Sequence, residues 1–131
     1  IISVLLLAGL NGFGQNSQIL TICFETNGYS ITNEDEKKLD KIITICKSDE
    51  FSFLKIFGFS DTSGPEEHNY WLSKMRCYSV WNYIKKKTKI DERKFYMEWI
   101  GESNGIYSLH FDDAHAQERC VDIWVHLSQK N

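Results

Sequence analysis

Six segments of this chain carry regular patterns of apolar and polar residues, four typical of β-strands and two typical of α-helices. In one of them Ile22 and Phe24 alternate with Thr21 and Cys23, as expected for a strand with one buried face. The predicted strands are Leu20–Phe24, Phe51–Phe59, Phe95–Ile100 and Cys120–Leu127.

The two predicted helices repeat apolar residues at intervals of three or four positions. The first follows Thr32, a residue type that caps helix N-termini. Its apolar residues are Leu39, Ile42, Ile43 and Cys46. The second runs from about Glu66 to Lys86, and an interruption near Asn69–Trp71 is one alternative for it.

The element order β-α-β-α-β-β predicts an α/β fold, a two-layer α/β sandwich with a mixed four-stranded sheet. If both β-α-β crossovers are right-handed, the two helices lie on one face of the sheet. The last two strands follow each other without a helix, so an antiparallel pairing between them is allowed.

The first fourteen residues are uncharged, and their apolar block Ile1–Leu10 is shorter than the roughly 20 residues of a transmembrane helix. The block is typical of a secretory signal peptide, and Gly12 and Gly14 suit a cleavage site before Gln15. We therefore expect a truncated signal peptide at residues 1–14 and one domain at residues 15–131. A buried first strand is the alternative. No Cys follows at the spacing of a lipidation site, so we expect no lipid anchor.

The composition allows a substantial core, since 42% of the 131 residues are hydrophobic and 14% are aromatic. The formal charge of -3 gives no electrostatic reason to expect nucleic acid as a partner. The basic run Lys85, Lys86, Lys87 and Lys89 is expected to be a solvated helix end, where cations offset the helix dipole. A membrane-surface or nucleic-acid patch is the alternative for this run.

The four cysteines are Cys23, Cys46, Cys77 and Cys120, an even set that can pair in an exported protein. Their spacing matches no zinc motif, so we expect neither a metal nor another cofactor. Because two lie on strands and two on the apolar faces of the helices, we favour Cys23–Cys120 and Cys46–Cys77. Free buried thiols are the alternative.

The segment from Ile56 to Val80, IFGFSDTSGPEEHNYWLSKMRCYSV, joins a strand end to the second helix. It places Asp61 just after the strand and Arg76 on the helix, along one stripe with Asn69, Leu72 and Ser73. A carboxylate and a guanidinium meeting there could hold a ligand that carries both an ammonium and a carboxylate. A structural salt bridge between Asp61 and Arg76 is the alternative.

This segment and others resemble the OmpA-like peptidoglycan-binding domain, over about Ile22–Val125. Gly58, Ser60, Asp61 and Gly64 match the family's G-x-[ST]-D-x-x-G. The helix matches N-x-x-L-S-x-x-R, Gly101-Glu102-Ser103 matches G-E-[SN], and AQERCV at Ala116–Val121 stands where the family has A-x-N-R-R-V. The joint order and spacing of these pieces carry the resemblance.

The resemblance implies non-catalytic binding of peptidoglycan in a Gram-negative periplasm, through the diaminopimelate of the peptide stem. The side-chain end of diaminopimelate has an ammonium and a carboxylate on one carbon, so Asp61 would accept from the first and Arg76 would donate to the second. By the same resemblance the pocket is also lined by Asn69, Arg119, Ser63 and Asn27. The implied location is near the outer membrane or cell wall, with no membrane span in the mature chain.

The chain departs from the family motif at two places, and the first of them favours an alternative function. Glu118-Arg119-Cys120 replaces N-R-R, which removes an arginine and adds an acid, and the usual Pro after G-E-[SN] is absent. The alternative is a degenerate OmpA-like module that binds a protein partner in an envelope assembly. An enzyme using Asp61 or Glu102 is disfavoured, because no second carboxylate or nucleophile–base pair accompanies them. The histidines, His68, His110, His115 and His126, are expected to be solvated or in loops.

Overall fold

Two helices and five strands make up most of the chain that the structure, a computed structural model, describes: residues 4–6, 16–60, 65–102 and 119–128. The strands are β1 (Val4–Leu6), β2 (Asn16–Cys23), β3 (Phe51–Ser60), β4 (Phe95–Glu102) and β5 (Cys120–Leu127). The helices are α1 (Asn33–Cys46) and α2 (Glu66–Lys87), and a 3-10 turn at Glu92–Lys94 precedes β4. All six predicted elements are present, and their bounds differ from the prediction by a few residues.

The strands form one mixed sheet in the order β1-β2-β5-β3-β4. Neighbouring strands are antiparallel except β3 and β4, which are parallel. The predicted mixed α/β architecture is therefore confirmed, with the short strand β1 added at one edge. The last two strands do not pair with each other, because β5 lies between β2 and β3. Its first four residues, Cys120–Ile123, are all buried, in keeping with its place at the centre of the sheet.

The core lies between the sheet and the two helices, which share one face of it. Two-residue alternation turns fully buried side chains of three strands toward the helices, namely Leu20, Ile22, Leu54, Ile56, Val121, Ile123 and Val125. They form one cluster with Leu39, Ile42 and Ile43 of α1 and with Cys77, Val80 and Ile84 of α2. Burial of these side chains is the main force that docks both helices.

Helix α1 begins with a complete capping box. The Thr32 hydroxyl accepts a hydrogen bond from the Asp35 N–H at 3.1 Å, and an Asp35 carboxylate oxygen accepts one from the Thr32 N–H at 3.4 Å. These bonds satisfy donors that a helix start otherwise leaves unpaired. The predicted role of Thr32 is confirmed.

Helix α2 is continuous from Glu66 to Lys87, so the alternative of an interruption near Asn69–Trp71 is wrong. It packs very closely on β3 at Gly58. A Cβ added to Gly58 would overlap the Cys77 Sγ and would lie 2.7 Å from the backbone oxygen of Ser73. Only a residue without a side chain allows this approach. The close contact brings the first half of α2 against the end of β3, where the register also shifts between Gly58 and Ser60.

The basic residues at the end of α2, Lys85, Lys86 and Lys87, are exposed, as expected of a solvated helix end. The Lys87 Nζ lies 3.0 Å from a carboxylate oxygen of Asp40 and 2.7 Å from the Tyr83 hydroxyl, which ties α2 to α1. Neither helix in the described ranges combines the length and the apolar character that a membrane crossing demands.

The N-terminal segment contributes Val4–Leu6, which pairs antiparallel with Gln18–Leu20 of β2. A buried first strand was the alternative interpretation of this segment; these three residues form a strand, and their burial is not described. The remainder of residues 1–14 lies outside the described residues. Removal of residues 1–14 as a signal peptide stays a prediction.

One of the two favoured disulfides is present. Cys23 and Cys120 are directly opposite each other on β2 and β5, with their Cα atoms 4.0 Å apart, and their sulfurs are bonded. The second favoured pairing is wrong, because Cys46 and Cys77 are free thiols buried in the core. There they pack as small apolar residues, and burial raises the pKa of each thiol to about 12.

Candidate ligand-binding site

A buried arginine organises the region that the sequence singles out. Arg76 lies on the core-facing side of α2 and its side chain is only 1% exposed. Its Nε donates to the backbone oxygen of Gly28 at 2.7 Å, and one Nη donates to the backbone oxygen of Glu25 at 3.1 Å. The Phe24 ring centroid lies 5.8 Å from the guanidinium carbon. Arg76 therefore anchors the loop that joins β2 to α1.

That loop, which we call the 24–32 loop, turns sharply at Asn27. The Gly28 N–H donates to the Glu25 oxygen at 2.8 Å, and Asn27 adopts a φ of 61° in the left-handed region. Asn tolerates this conformation better than most residues because its short side chain bonds locally. The turn points the Glu25 and Gly28 carbonyl groups toward Arg76, and this is the physical reason for the Thr26-Asn27-Gly28 sequence.

Asn27, a predicted pocket residue, also connects the 24–32 loop to the start of α2. A hydrogen bond of 3.1 Å joins its Oδ1 to the Nε2 of His68. The next residue, Asn69, is also a predicted pocket residue and is only 2% exposed. Its N–H donates to the oxygen of Pro65 at 3.0 Å and so fixes the first turn of α2. Both asparagines therefore lie at the junction between the loop and the helix.

Arg119, another predicted pocket residue, is half-buried immediately before β5. Its backbone oxygen accepts from the Phe24 N–H at 2.9 Å. The disulfide between Cys23 and Cys120 joins the residues next to this bond. The Arg119 backbone is thus held beside the first residue of the 24–32 loop by this hydrogen bond, and the disulfide of the adjacent Cys120 reinforces the contact.

The structure brings four of the six predicted site residues to one region: Asn27, Asn69, Arg76 and Arg119. Asp61 and Ser63 lie outside the described residues, in the four-residue connection between Ser60 at the end of β3 and Pro65 at the N-cap of α2. Glu118, the departure from the family motif, and the 103–118 segment lie outside them as well. The Asp61–Arg76 pair therefore stays a prediction.

Sequence reasoning missed two features of the site. It assigned the guanidinium of Arg76 to a ligand and did not foresee that backbone carbonyl groups of the 24–32 loop accept from it. It also missed the aromatic residues around the loop, where Tyr29 and Trp71 pack edge to face and His68 stacks on Trp71. The three-residue spacing of His68 and Trp71 on α2 was the available signal for the second feature.

The prediction that the histidines are solvated or in loops holds for His68, which is exposed, and is wrong for His126. His126 lies on β5 and its Nδ1 is 2.8 Å from the hydroxyl of the buried Ser17. Burial, and then the positive charge of Lys55, lower the pKa of His126. His110 and His115 lie outside the described residues. Within the described part of the chain, no three His, Cys, Asp or Glu side chains are grouped as a metal site.

This arrangement suits recognition of an anion. A guanidinium removed from water keeps its charge, and its field is less screened than that of an exposed arginine. The 24–32 loop lies over that charge and presents its own backbone and the Asn27 amide. Chemically, a positive charge in this position favours the approach of a small negatively charged group.

Comparison with known proteins agrees with the fold and the motif. The OmpA family model matches residues 23–119. The chain is 28% identical over 107 residues to outer membrane protein A of Bordetella avium; that match covers 82% of this chain but 55% of the relative, so the chain spans about half of its length.

Several solved structures have the same fold. The OmpA-like domain of FopA1 from Francisella tularensis aligns with a TM-score of 0.68 at 18% identity, covering 98% of this chain and 84% of that chain. The peptidoglycan-associated lipoprotein of Burkholderia pseudomallei aligns with a TM-score of 0.65 at 20% identity, covering 81% of this chain and 88% of that chain.

Proposed function

Because this chain belongs to the OmpA family, whose members associate with peptidoglycan in envelope proteins, we propose that it is a non-catalytic module that binds the peptide stem of peptidoglycan. The ligand group is the side-chain end of diaminopimelate, with its ammonium and its carboxylate. The observation that carries the proposal is the burial of Arg76 beneath the 24–32 loop, whose residue Asn27 also bonds to His68 at the start of α2.

The charges of the ligand and of the site are complementary. Arg76 supplies the positive field that attracts the stem carboxylate, and Asp61 accepts from the ammonium. Asn27, Asn69, Ser63 and Arg119 are the other residues that we propose to hydrogen-bond the ligand. Hydrogen bonds to charged groups contribute about 1.5–3 kcal/mol each, so a few of them give modest, reversible binding. Repeated stems on a polymer increase retention by avidity.

The proposed location is the periplasm, at the cell wall or outer membrane, after export by the segment at residues 1–14. Outer membrane protein A and the peptidoglycan-associated lipoprotein are envelope proteins by name, which supports this location. A cysteine pair bonded between β2 and β5 also suits an oxidising compartment.

Retention on two kinds of purified sacculi tests the proposal. One kind carries diaminopimelate in its stems, and the other carries lysine at the same position, which keeps the ammonium and lacks the side-chain carboxylate. We expect the protein to co-sediment with the first kind and to remain largely in solution with the second. Equal retention on both kinds, or on neither, would contradict diaminopimelate recognition.

Matched variants test the residues. Asp61→Asn keeps the shape of the side chain and removes its charge, and Arg76→Lys keeps the charge and removes the planar fork. Both are expected to weaken co-sedimentation at least tenfold. Arg93→Gln is the control, since it removes an arginine that is exposed and paired with Asp91 beyond the end of α2. Circular dichroism of each variant shows that loss of binding is not loss of folding.

Binding of a protein partner in an envelope assembly is the second candidate function, favoured by the acid at Glu118 and by an exposed aromatic residue, Tyr96, on the sheet. It predicts no preference between the two kinds of sacculi and, instead, capture of a defined envelope protein. Release of soluble fragments from sacculi during the incubation would contradict both candidates and indicate an enzyme.

A further inference from the structure

Three aromatic side chains form a small surface beside the candidate site, which we call the aromatic platform: Tyr29, His68 and Trp71. The rings of Tyr29 and Trp71 pack edge to face, with centroids 5.6 Å apart and planes at 84°. His68 stacks on Trp71 at 6.0 Å with planes at 24°. Trp71 nevertheless remains 42% exposed and Tyr29 37% exposed. The platform therefore offers ring surface to the solvent.

The platform is fixed to the loop that Arg76 anchors. His68 bonds to Asn27 at 3.1 Å, and Asn27 is adjacent to Gly28, which accepts from Arg76. The hydroxyl of Ser79 on α2 donates to the backbone oxygen of Tyr29. The platform is therefore fixed to the 24–32 loop at two points, through the Asn27 side chain and the Tyr29 backbone oxygen. Gly28, whose backbone oxygen accepts from Arg76, lies between these two residues in the chain.

The exposure of these rings is not explained by the core. Burying a large aromatic side chain is strongly favourable, and a cluster left in water is typical of a binding surface. The other exposed aromatic residues of α2 have a structural explanation. Tyr70 and Tyr78 each pack against Trp99, which Lys74 covers on another side, and together they close the edge of the helix–sheet interface.

The open ring surface suits a sugar. The C–H bonds on one face of a pyranose carry partial positive charge and fit the negative face of an aromatic ring. An N-acetylated hexosamine adds an amide, which can bond to a neighbouring His or Tyr. A sugar ring needs a fixed, exposed aromatic surface with polar atoms at its rim, and Trp71 between His68 and Tyr29 provides one.

We propose that the aromatic platform is a sugar subsite that stacks on the N-acetylated hexosamine to which the peptide stem is attached. The inference rests on the proposed function, because the stem and this sugar are covalently joined and a stem held at the 24–32 loop brings the sugar near. The platform then lets the protein distinguish a stem on its glycan from a free peptide.

Two soluble ligands test this subsite by calorimetry: the free stem peptide with diaminopimelate, and the same peptide on its disaccharide. We expect wild-type protein to bind the disaccharide-peptide more tightly by about two- to tenfold, the range of one aromatic contact. Trp71→Ala is expected to remove this preference, so that the variant binds the two ligands with equal affinity. Trp71→Phe is expected to retain part of it.

Tyr96→Ala is the control, since it removes an exposed aromatic side chain from the sheet and lies away from the 24–32 loop. Equal affinities of wild-type protein for the two ligands, or a preference that survives in Trp71→Ala, would overturn the sugar subsite while leaving stem binding intact. Binding of neither ligand by wild-type protein would overturn the proposed function itself. The two failures are therefore distinguishable.

Discussion

Arg76 donates its Nε–H to the backbone oxygen of Gly28 at 2.7 Å, across a sequence separation of 48 residues. The same guanidinium reaches the oxygen of Glu25, so one side chain of α2 defines the shape of the 24–32 loop. Arg76 supports this loop and is also proposed to attract the ligand, so its replacement is expected to have two effects. Stability measurements must therefore accompany every binding measurement at this position.

Arg76→Lys is expected to lower the free energy of unfolding by about 1.5–3 kcal/mol, the contribution of one hydrogen bond to a charged group. Lysine has a single nitrogen on a flexible stem and does not reproduce the hydrogen bonds to the backbone oxygens of both Glu25 and Gly28. Urea unfolding measures the change. Arg93→Lys, on an exposed side chain, should change stability by less than about 0.5 kcal/mol. Equal stability of the wild type and Arg76→Lys would mean that the loop does not depend on the guanidinium fork.

The thiol count distinguishes the disulfide arrangements. With Cys23–Cys120 bonded and two thiols buried, native protein at pH 8 should react with no thiol reagent within minutes, since burial raises the pKa of Cys46 and Cys77 to about 12. After unfolding without reductant, two thiols should react. Four reactive thiols would exclude the disulfide. An absence of reactive thiols would instead support the Cys46–Cys77 pairing.

Reduction of the Cys23–Cys120 bond is expected to destabilise the fold by about 2–4 kcal/mol, because the bond closes a long loop between residues 97 positions apart. Cys23 is exposed, so a phosphine reductant can reach the bond in the folded protein. Urea unfolding with and without the reductant measures the difference. A Cys23→Ala/Cys120→Ala double variant should match the reduced protein and should not respond to the reductant.

Gly58→Ala tests the close approach of α2 to β3. The added Cβ would overlap the Cys77 Sγ and crowd the Ser73 oxygen, so overpacking should cost about 1–3 kcal/mol of stability. The Cys77→Ala variant lacks the sulfur and keeps the Ser73 backbone oxygen. Gly58→Ala should therefore cost less stability in the Cys77→Ala background than in the wild type. Strict additivity of the two changes in a double-mutant cycle would argue against contact at this point.

The elements were predictable from sequence because their burial is periodic, and α1 was predictable to its capping residue. The strand order was not, since alternation shows which face of β5 is buried but not which strands flank it. The position of Arg76 on α2 was predictable, but its backbone partners were not. Their approach depends on the turn at Asn27, 49 residues earlier in the chain, and no local pattern records such a contact. Helix faces likewise placed Cys46 and Cys77 in the core without showing whether their sulfurs meet.

The fold is expected to lose stability as the pH falls through about 6.5, and His126 is one cause. Burial, and then Lys55, lower its pKa below the ordinary 6.5, so in this window the unfolded chain binds a proton that the folded chain does not. Stability then rises with pH, and the contribution is lost at lower pH as the unfolded state gains its proton. Urea unfolding between pH 5.5 and 7.5 should give a steeper dependence for the wild type than for His126→Asn, whose amide can still bond to Ser17. Lys55→Met should reduce the slope in part, because it removes the second cause and leaves the burial. A His126 proton resonance that titrates above 6.5, or identical slopes in the wild type and His126→Asn, would contradict the assignment.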